Sequence, residues 1–232
     1  MFRRSVVISA LVAAAACGGP GTEMDAGVDA GVSMLVMNTR TRDACGEFVG
    51  VLGPYIPDEV GHWSGTRLTP PHYPFTVEAV EYDTYTDDVP GCDVTVTHRV
   101  RLYKVARTAG FPTAPSADGG VVAEVTVTPS TGTRSSWSGS DGGFRGEAVS
   151  LPITGVTLNA DEELVVSVEY AGNQAGDQAL CLYACPTDVD AGIVTRSGLD
   201  FWSNAVAEPY SWLDLHADFM SEAQLTVRMR GR

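Results

Sequence analysis

The most regular stretch of the chain runs over residues 93–104. Val94, Val96, His98, Val100 and Leu102 fall on one side, and Thr95, Thr97, Arg99, Arg101 and Tyr103 on the other. A period of two belongs to a strand with one face on a core and one in water. The same alternation predicts strands over residues 76–82, 121–128, 164–170, 199–203 and 224–230, with shorter ones over 33–37, 48–52, 144–151 and 179–183. β-Branched and aromatic side chains dominate these runs, as pleated surfaces favour. Residues 53–74, 107–120, 129–143 and 171–197 are rich in Gly, Pro, Ser and Asp and are expected as loops. Beyond one turn's worth of helical pattern near residues 159–163, no helical period stands out. The expected fold is therefore all-β, an antiparallel β-sandwich of about ten strands.

The C-terminal half narrows this. Residues 158–170 (LNADEELVVSVEY), 199–203 (LDFWS), 210–213 (YSWL) and a last strand ending Val227-Arg228-Met229-Arg230 resemble the closing half of jelly-roll accessory modules on secreted bacterial proteins. The resemblance implies a jelly-roll-like sandwich and no activity.

The first residues read differently. Arg3 and Arg4 precede an apolar run over residues 5–16, which is too short to cross a bilayer. It ends in Ala14-Ala15-Ala16-Cys17, which resembles the lipobox of bacterial lipoproteins. The resemblance implies cleavage before Cys17, a diacylglyceryl group on its thiol and an acylated, palmitate-type amino terminus. Two or three acyl chains at about 0.8 kcal/mol per buried CH₂ hold a protein durably on a membrane. Gly18 stands where some lipoproteins carry the Asp that retains them at the inner membrane, so the expected location is the outer membrane of a cell envelope. The organisation expected is a signal peptide over 1–16, the lipidated cysteine with a flexible tether over 17–33, and one sandwich domain over 34–232.

The tether carries the tandem repeat DAGVDAGV at residues 25–32. Gly-rich, acidic and without aromatics, it buries too little to offset its ordering entropy. Its residues after Cys17 span at most roughly 50–55 Å fully extended and typically about 20–25 Å.

Charge removes further classes. The 232 residues include 15 Lys plus Arg against 29 Asp plus Glu, a net −14. Without a basic stripe, the electrostatic contribution that dominates nucleic-acid binding is missing, and no nucleic-acid partner is expected. A hydrophobic fraction of 44% is too high for a wholly disordered chain.

Four cysteines remain beyond Cys17, namely Cys45, Cys92, Cys181 and Cys185. An even number in an exported domain implies two disulfides. Of the three connectivities, Cys45–Cys92 with Cys181–Cys185 is the expected one, the second pair pinching a loop. Catalytic signatures are missing: there is no Gly-x-Ser-x-Gly, no His-Glu-x-x-His, and the four histidines are scattered. His98, on the apolar face of its strand, reads as a hydrogen-bonded core residue. Asp83, Asp87 and Asp88 offer hard oxygens for a structural calcium, though a solvated acidic loop explains them as well. Trp63 and Trp137 sit in Ser- and Gly-rich surroundings and, with Trp202, are the candidate ligand platforms. Indoles folded back onto the sandwich are the plainer alternative.

The expected function is a lipid-anchored, cell-envelope, non-catalytic sandwich that recognises a carbohydrate or a partner protein. An envelope hydrolase with a carboxylate-based site and a structural subunit of a surface assembly are the alternatives. A binder is expected to expose Trp63 or Trp137; a subunit, to leave an apolar patch or a bare sheet edge.

Overall fold

Alternation along the chain turns into pairing across it in the computed structural model, which describes residues 32–37, 50–54, 57–86, 91–107, 120–139, 145–173, 178–186, 198–206, 210–219 and 223–232. The expected signal peptide, Cys17, Cys45, Asp87 and Asp88 lie outside the described residues. The strands are β1 Met34–Met37, β2 Gly50–Leu52, β3 Trp63–Leu68, β4 Phe75–Thr86, β5 His98–Ala106, β6 Val121–Val127, β7 Thr133–Ser138, β8 Arg145–Leu158, β9 Glu162–Glu169, β10 Gly172–Asn173, β11 Gln178–Ala179, β12 Cys181–Pro186, β13 Asp200–Ser203, β14 Trp212–Asp214, β15 Ala223–Leu225 and β16 Arg228–Gly231. Among the described residues the only helical piece is a 3₁₀ turn at Pro57–Glu59. No helix among them is long and apolar enough to cross a membrane.

Two antiparallel sheets form the sandwich. In the six-stranded one the order is β14-β13-β3-β9-β5-β6. The eight-stranded one is built on β4, whose whole length pairs with β8, and β8 pairs in turn with β7. On its other side β4 takes β16 and the start of β12. β1 lies beyond β16, β2 beyond β12, and β15 pairs with the far half of β12. Pro152, which cannot donate to a ladder, sits opposite Ala79 at the bulge of β4.

The inner faces make the core. Phe75, Val80, Tyr82, Val149, Leu151 and Leu158 from the eight-stranded sheet meet Leu68, Val100, Leu102, Leu164, Val166 and Val168 from the other, each at most 1% exposed. Each such side chain contributes about 1.5–3 kcal/mol on burial.

The all-β expectation holds, and three details differ. The strand expected from residue 93 starts at His98, because the Asp93 carboxylate accepts the Thr95 N–H (2.7 Å) and hydroxyl (2.6 Å) and turns the chain. β3 and β7 form inside stretches expected as loops, and both carry a tryptophan. The third difference is the cystine pairing. Cys92 is joined to Cys181, which overturns both Cys45–Cys92 and Cys181–Cys185. Cys185, also disulfide-bonded, stands four residues from Cys181 on the same extended strand. That separation is about 13 Å, far beyond the roughly 7 Å limit a disulfide spans.

Candidate ligand cleft at the end of the sandwich

Register fixes which side chains share a face. On the inner face of the eight-stranded sheet, one row reads Tyr82, Val149 and Arg134 across β4, β8 and β7. The next is Thr84, Glu147 and Ser136, and the last is Thr86, Arg145 and Ser138. Apolar residues therefore give way to hydroxyls and charges as these strands end. There the segment leading into β5 faces them, and a cleft of about 340 Å³ opens. Thr86, Val94, Ser136, Ser138, Arg145 and Glu147 line it, with Trp137 and Gly146 at its border.

Arg134 braces the floor. Its guanidinium donates to Glu147 Oε2 (2.6 Å) and to the carbonyls of Val94 (3.0 Å) and Thr128 (3.1 Å), tying β7 to the segments that flank β5 and β6. Both partners of the ion pair are mostly buried. Beneath it, His98 Nδ1 lies 2.8 Å from the Val96 carbonyl. A carbonyl only accepts, so Nδ1 carries the hydrogen and Nε2 accepts from the Tyr82 hydroxyl. Burial pushes the His98 imidazole down to about 4, and burial likewise raises the Tyr82 phenol far above its ordinary range. His98 is the hydrogen-bonded core histidine that the alternation implies.

The chemistry on offer is recognition. Two serine hydroxyls that donate and accept, a Thr86 hydroxyl that gives its hydrogen to the Cys92 carbonyl (3.0 Å) and still accepts, one guanidinium and one carboxylate face the same space, which suits a ligand bearing several hydroxyls. Two of the described histidines, His62 and His98, each donate to a backbone carbonyl. His62 approaches Ser203, yet its Nδ1 lies 2.6 Å from the Ser203 carbonyl and so bears the hydrogen. The Ser203 hydroxyl is buried and accepts the Trp63 N–H (2.9 Å). That arrangement ties the start of β3 to the end of β13 and leaves no Nδ1 lone pair to activate the serine.

The residues singled out in the sequence fare unequally. Trp63 is 1% exposed, with the guanidiniums of Arg99 and Arg101 at 5.0 and 4.4 Å from its ring centroid. It is not a ligand platform. Trp202 is stacked on His62 (4.6 Å) and meets Tyr170 edge-on (4.5 Å). Trp137 borders the cleft but is 9% exposed, its ring edge-on to Tyr183 (5.0 Å), so neither it nor Trp63 is the exposed platform expected of a binder. Asp83 is taken: its side chain is buried and its two oxygens accept from Arg228 (2.7 and 3.2 Å). It is a buried, ion-paired carboxylate in this structure, and Asp87 and Asp88, the other two expected calcium ligands, lie outside the described residues. The cleft residues Ser136, Ser138, Arg145 and Glu147 went unnoticed in the sequence. Their signal was the pairing of TRSSWS with the start of β8, which only register reveals.

No protein-family model matches the chain, and no curated protein matches it. Among solved structures it is similar to the cysteine protease and lectin-like domains of Cwp84, a surface layer associated protein of Clostridium difficile. Identity there is 12%, 74% of this chain and 32% of that one are covered, and the TM-score is 0.44. A second similar structure is the clostridial cysteine protease Cwp84 after propeptide cleavage, at 12% identity, 74% and 36% coverage and a TM-score of 0.46. The chain thus spans 32% and 36% of the lengths of these two structures.

Proposed function

We propose that this protein is a non-catalytic binding sandwich, held at the cell envelope by an acylated Cys17, that recognises a polysaccharide through the cleft at the ends of β4, β7 and β8. The cleft carries the proposal: about 340 Å³, lined by hydroxyls and by a guanidinium and a carboxylate. A sugar presents hydroxyls around an apolar C–H face, so Ser and Thr with one fork-shaped donor and one carboxylate, set among the apolar surface of Val94 and Trp137, match it on both counts. The exposed positions Ser136 and Ser138 allow a direct test. Ser136→Tyr and Ser138→Tyr fill the cleft from its rim; on a glycan array they are expected to lose whatever the wild type binds. A wild type that binds no glycan, or a variant that binds as well as wild type, removes the polysaccharide from the proposal.

The anchor is tested apart from the ligand. Cys17→Ala is expected to leave the precursor uncleaved or to release the protein in soluble form. Fractionation of that variant with membranes as a normally processed chain overturns the anchor.

A structural subunit is the second reading, and one observation favours it. Among the described strands β6 pairs only with β5, and it exposes Val121 and Val122. A bare, β-branched edge is the kind that pairs with another chain. Concentration-dependent assembly without any ligand supports that reading over the first.

A further inference from the structure

We infer that the β1–β16 edge of the sandwich is a membrane-contact surface, laid against the anionic bilayer that holds the anchor. The inference rests on the acylated Cys17 proposed above. The tether expected from the sequence ends at Ser33, and β1 begins at the next residue. The first strand after the lipid is thus an edge strand, pairing only with β16 among the described strands.

What that edge presents is unusual for an acidic chain. Val32, Met34 and Leu35 are 85%, 41% and 40% exposed. Leu35 stands opposite Arg230, on the same face as Arg230 and Arg232, whereas Met34, opposite Gly231, points to the other face, so the two meet only along the rim of the edge strand. The side chains of Arg230 and Arg232 are 42% and 52% exposed. Exposed aliphatic and thioether groups beside exposed guanidiniums match the headgroup layer, where apolar atoms find acyl chains and cations find phosphates.

Carboxylates lie on the same strands and must be counted. Arg230 pairs with Glu81 (3.1 Å), Arg232 with Glu78 (3.1 Å), and Arg228 with Asp83. Three arginines thus answer three carboxylates, so this edge is locally neutral in a chain of net −14. Exposed ion pairs of this kind hold weakly and are screened by salt, so a phosphate can compete for the outer arginines. Tethering supplies the rest. A tether of the kind the sequence leads one to expect keeps the edge at a millimolar-scale effective concentration near the lipid, where a contact too weak to bind from solution is populated.

The test uses the acylated full-length protein in vesicles of phosphatidylcholine with and without phosphatidylglycerol. Hydroxyl-radical labelling of Met34 and Leu35 is read by mass spectrometry, with Phe219, 51% exposed, as the internal reference. In anionic vesicles Met34 and Leu35 are expected to label several-fold more slowly than in detergent micelles, relative to Phe219. High salt, or the double substitution Arg230→Gln with Arg232→Gln, is expected to restore most of the labelling. Equal labelling in vesicles and micelles overturns the inference. So does protection that is indifferent to lipid charge and to the double substitution, or that appears without lipid and grows with protein concentration, which marks a second copy as the occupant. The amino-terminal mass from the same sample separates the two proposals. Acyl chains on Cys17 without protection of Met34 and Leu35 overturn the contact alone, and their absence overturns the anchor and the contact together.

Discussion

Trp63 and Trp137 stand in similar words of sequence, HWSG and SWSG, and both indoles are buried, yet their surroundings end differently. Around Trp63, on the outer face of the six-stranded sheet, the neighbours are large. Tyr103, Val165, Phe201, Tyr210 and Trp212 close over it as a second small core. Arg99 and Arg101 lie on the ring and are held by Glu169 and Glu124. Gly65 and Ser167 keep the floor low enough for this layer: Trp212 Cζ3 comes within 3.6 Å of where a Cβ on Gly65 would stand. Around Trp137 the neighbours in register are small. Gly146, Ala148 and Ser150 on β8 face Trp137, Ser135 and Thr133 on β7. The result is relief on both sides of the β7–β8 hairpin. A groove of about 200 Å³ bordered by Glu81 and Arg228 lies on the outer face, and the cleft of about 340 Å³ on the inner one. Both rings are packed against aromatics, Trp63 against Phe201, Tyr210 and Trp212 and Trp137 against Tyr85 and Tyr183; what differs is that β7 and β8 carry small residues beside their charges and leave relief on each face.

The largest expected effect separates the two regions covalently. Cys92–Cys181 closes a separation of 89 residues beside Trp137, and Cys181 packs in one cluster with Trp137, Tyr183 and Tyr85. Among the described residues no cysteine packs in the cluster around Trp63. Cys92→Ser with Cys181→Ser is expected to cost about 4–5 kcal/mol in the chain-entropy model, measured by denaturant unfolding under oxidising conditions. Amide exchange is expected to rise first in β7, β8 and β12. A loss spread evenly over both sheets breaks the contrast.

Trp63→Ala comes next. It empties the centre of the sealed layer and leaves Arg99 and Arg101 without their ring, at about 3–5 kcal/mol. The midpoint of unfolding reads this directly. Gly146→Ala is the matched change in the other region, where a Cβ would stand 1.9 Å from the Thr84 carbonyl oxygen and 2.7 Å from Trp137 Cζ2. Backbone cannot give way as a side chain tip can, so the strands must part, at about 1–3 kcal/mol. Trp137 is expected to become brighter or shifted in fluorescence only in this second variant.

These two tryptophans also mark where the sequence could be read and where it could not. Alternation in VTVTHRVRLY and LVVSVEY is a signal of amplitude, large against small and apolar against polar, and the strands that carry it were legible. WSGTRL and TRSSWS alternate too, but most of their residues are Ser, Thr or Gly, whose polarity says loop as readily as strand. What makes them strands is pairing, β3 between β9 and β13 and β7 along β8, and pairing is not local. The cystines fail for the same reason. Four residues between Cys181 and Cys185 look close in a loop and are far apart in a strand. The cleft is illegible at the level of residue types, because its hydroxyls become a site only when register places Ser136 beside Glu147 and Ser138 beside Arg145. Asp83 reads as a metal ligand until Arg228, 145 residues away, claims both its oxygens.

Acid tests the floor of the cleft against the sealed face. Folding holds the His98 imidazole at about 4, below its value of about 6.5 in the unfolded chain. As pH falls through 6.5 the unfolded chain takes up a proton that the folded one refuses. Stability therefore drops between pH 6.5 and 4, by about 3 kcal/mol at most, and is flat above that window as far as this group is concerned. His98→Asn, which keeps a donor and an acceptor, is expected to flatten the slope of unfolding free energy against pH in that window. An unchanged slope assigns the acid sensitivity to the carboxylates paired elsewhere.

The smallest change in stability is expected where the change in binding is greatest. Ser138 is exposed at the rim of the cleft, and Thr126 is exposed on the outer face of β6, on the sheet that carries the sealed layer. Tyrosine at either site alters little packing, so both Ser138→Tyr and Thr126→Tyr are expected within about 0.5 kcal/mol of wild type. Their effects on ligand should part completely. A ring at 138 occupies the space lined by Thr86, Arg145 and Glu147, whereas one at 126 meets a face with no described cavity. Titration of a glycan found on the array should therefore lose its signal with Ser138→Tyr and keep it with Thr126→Tyr. The reverse pattern would move the ligand to the six-stranded sheet, to the bare half of its outer face around Val122 and Glu124, and would make the aromatic layer beneath it a support for recognition.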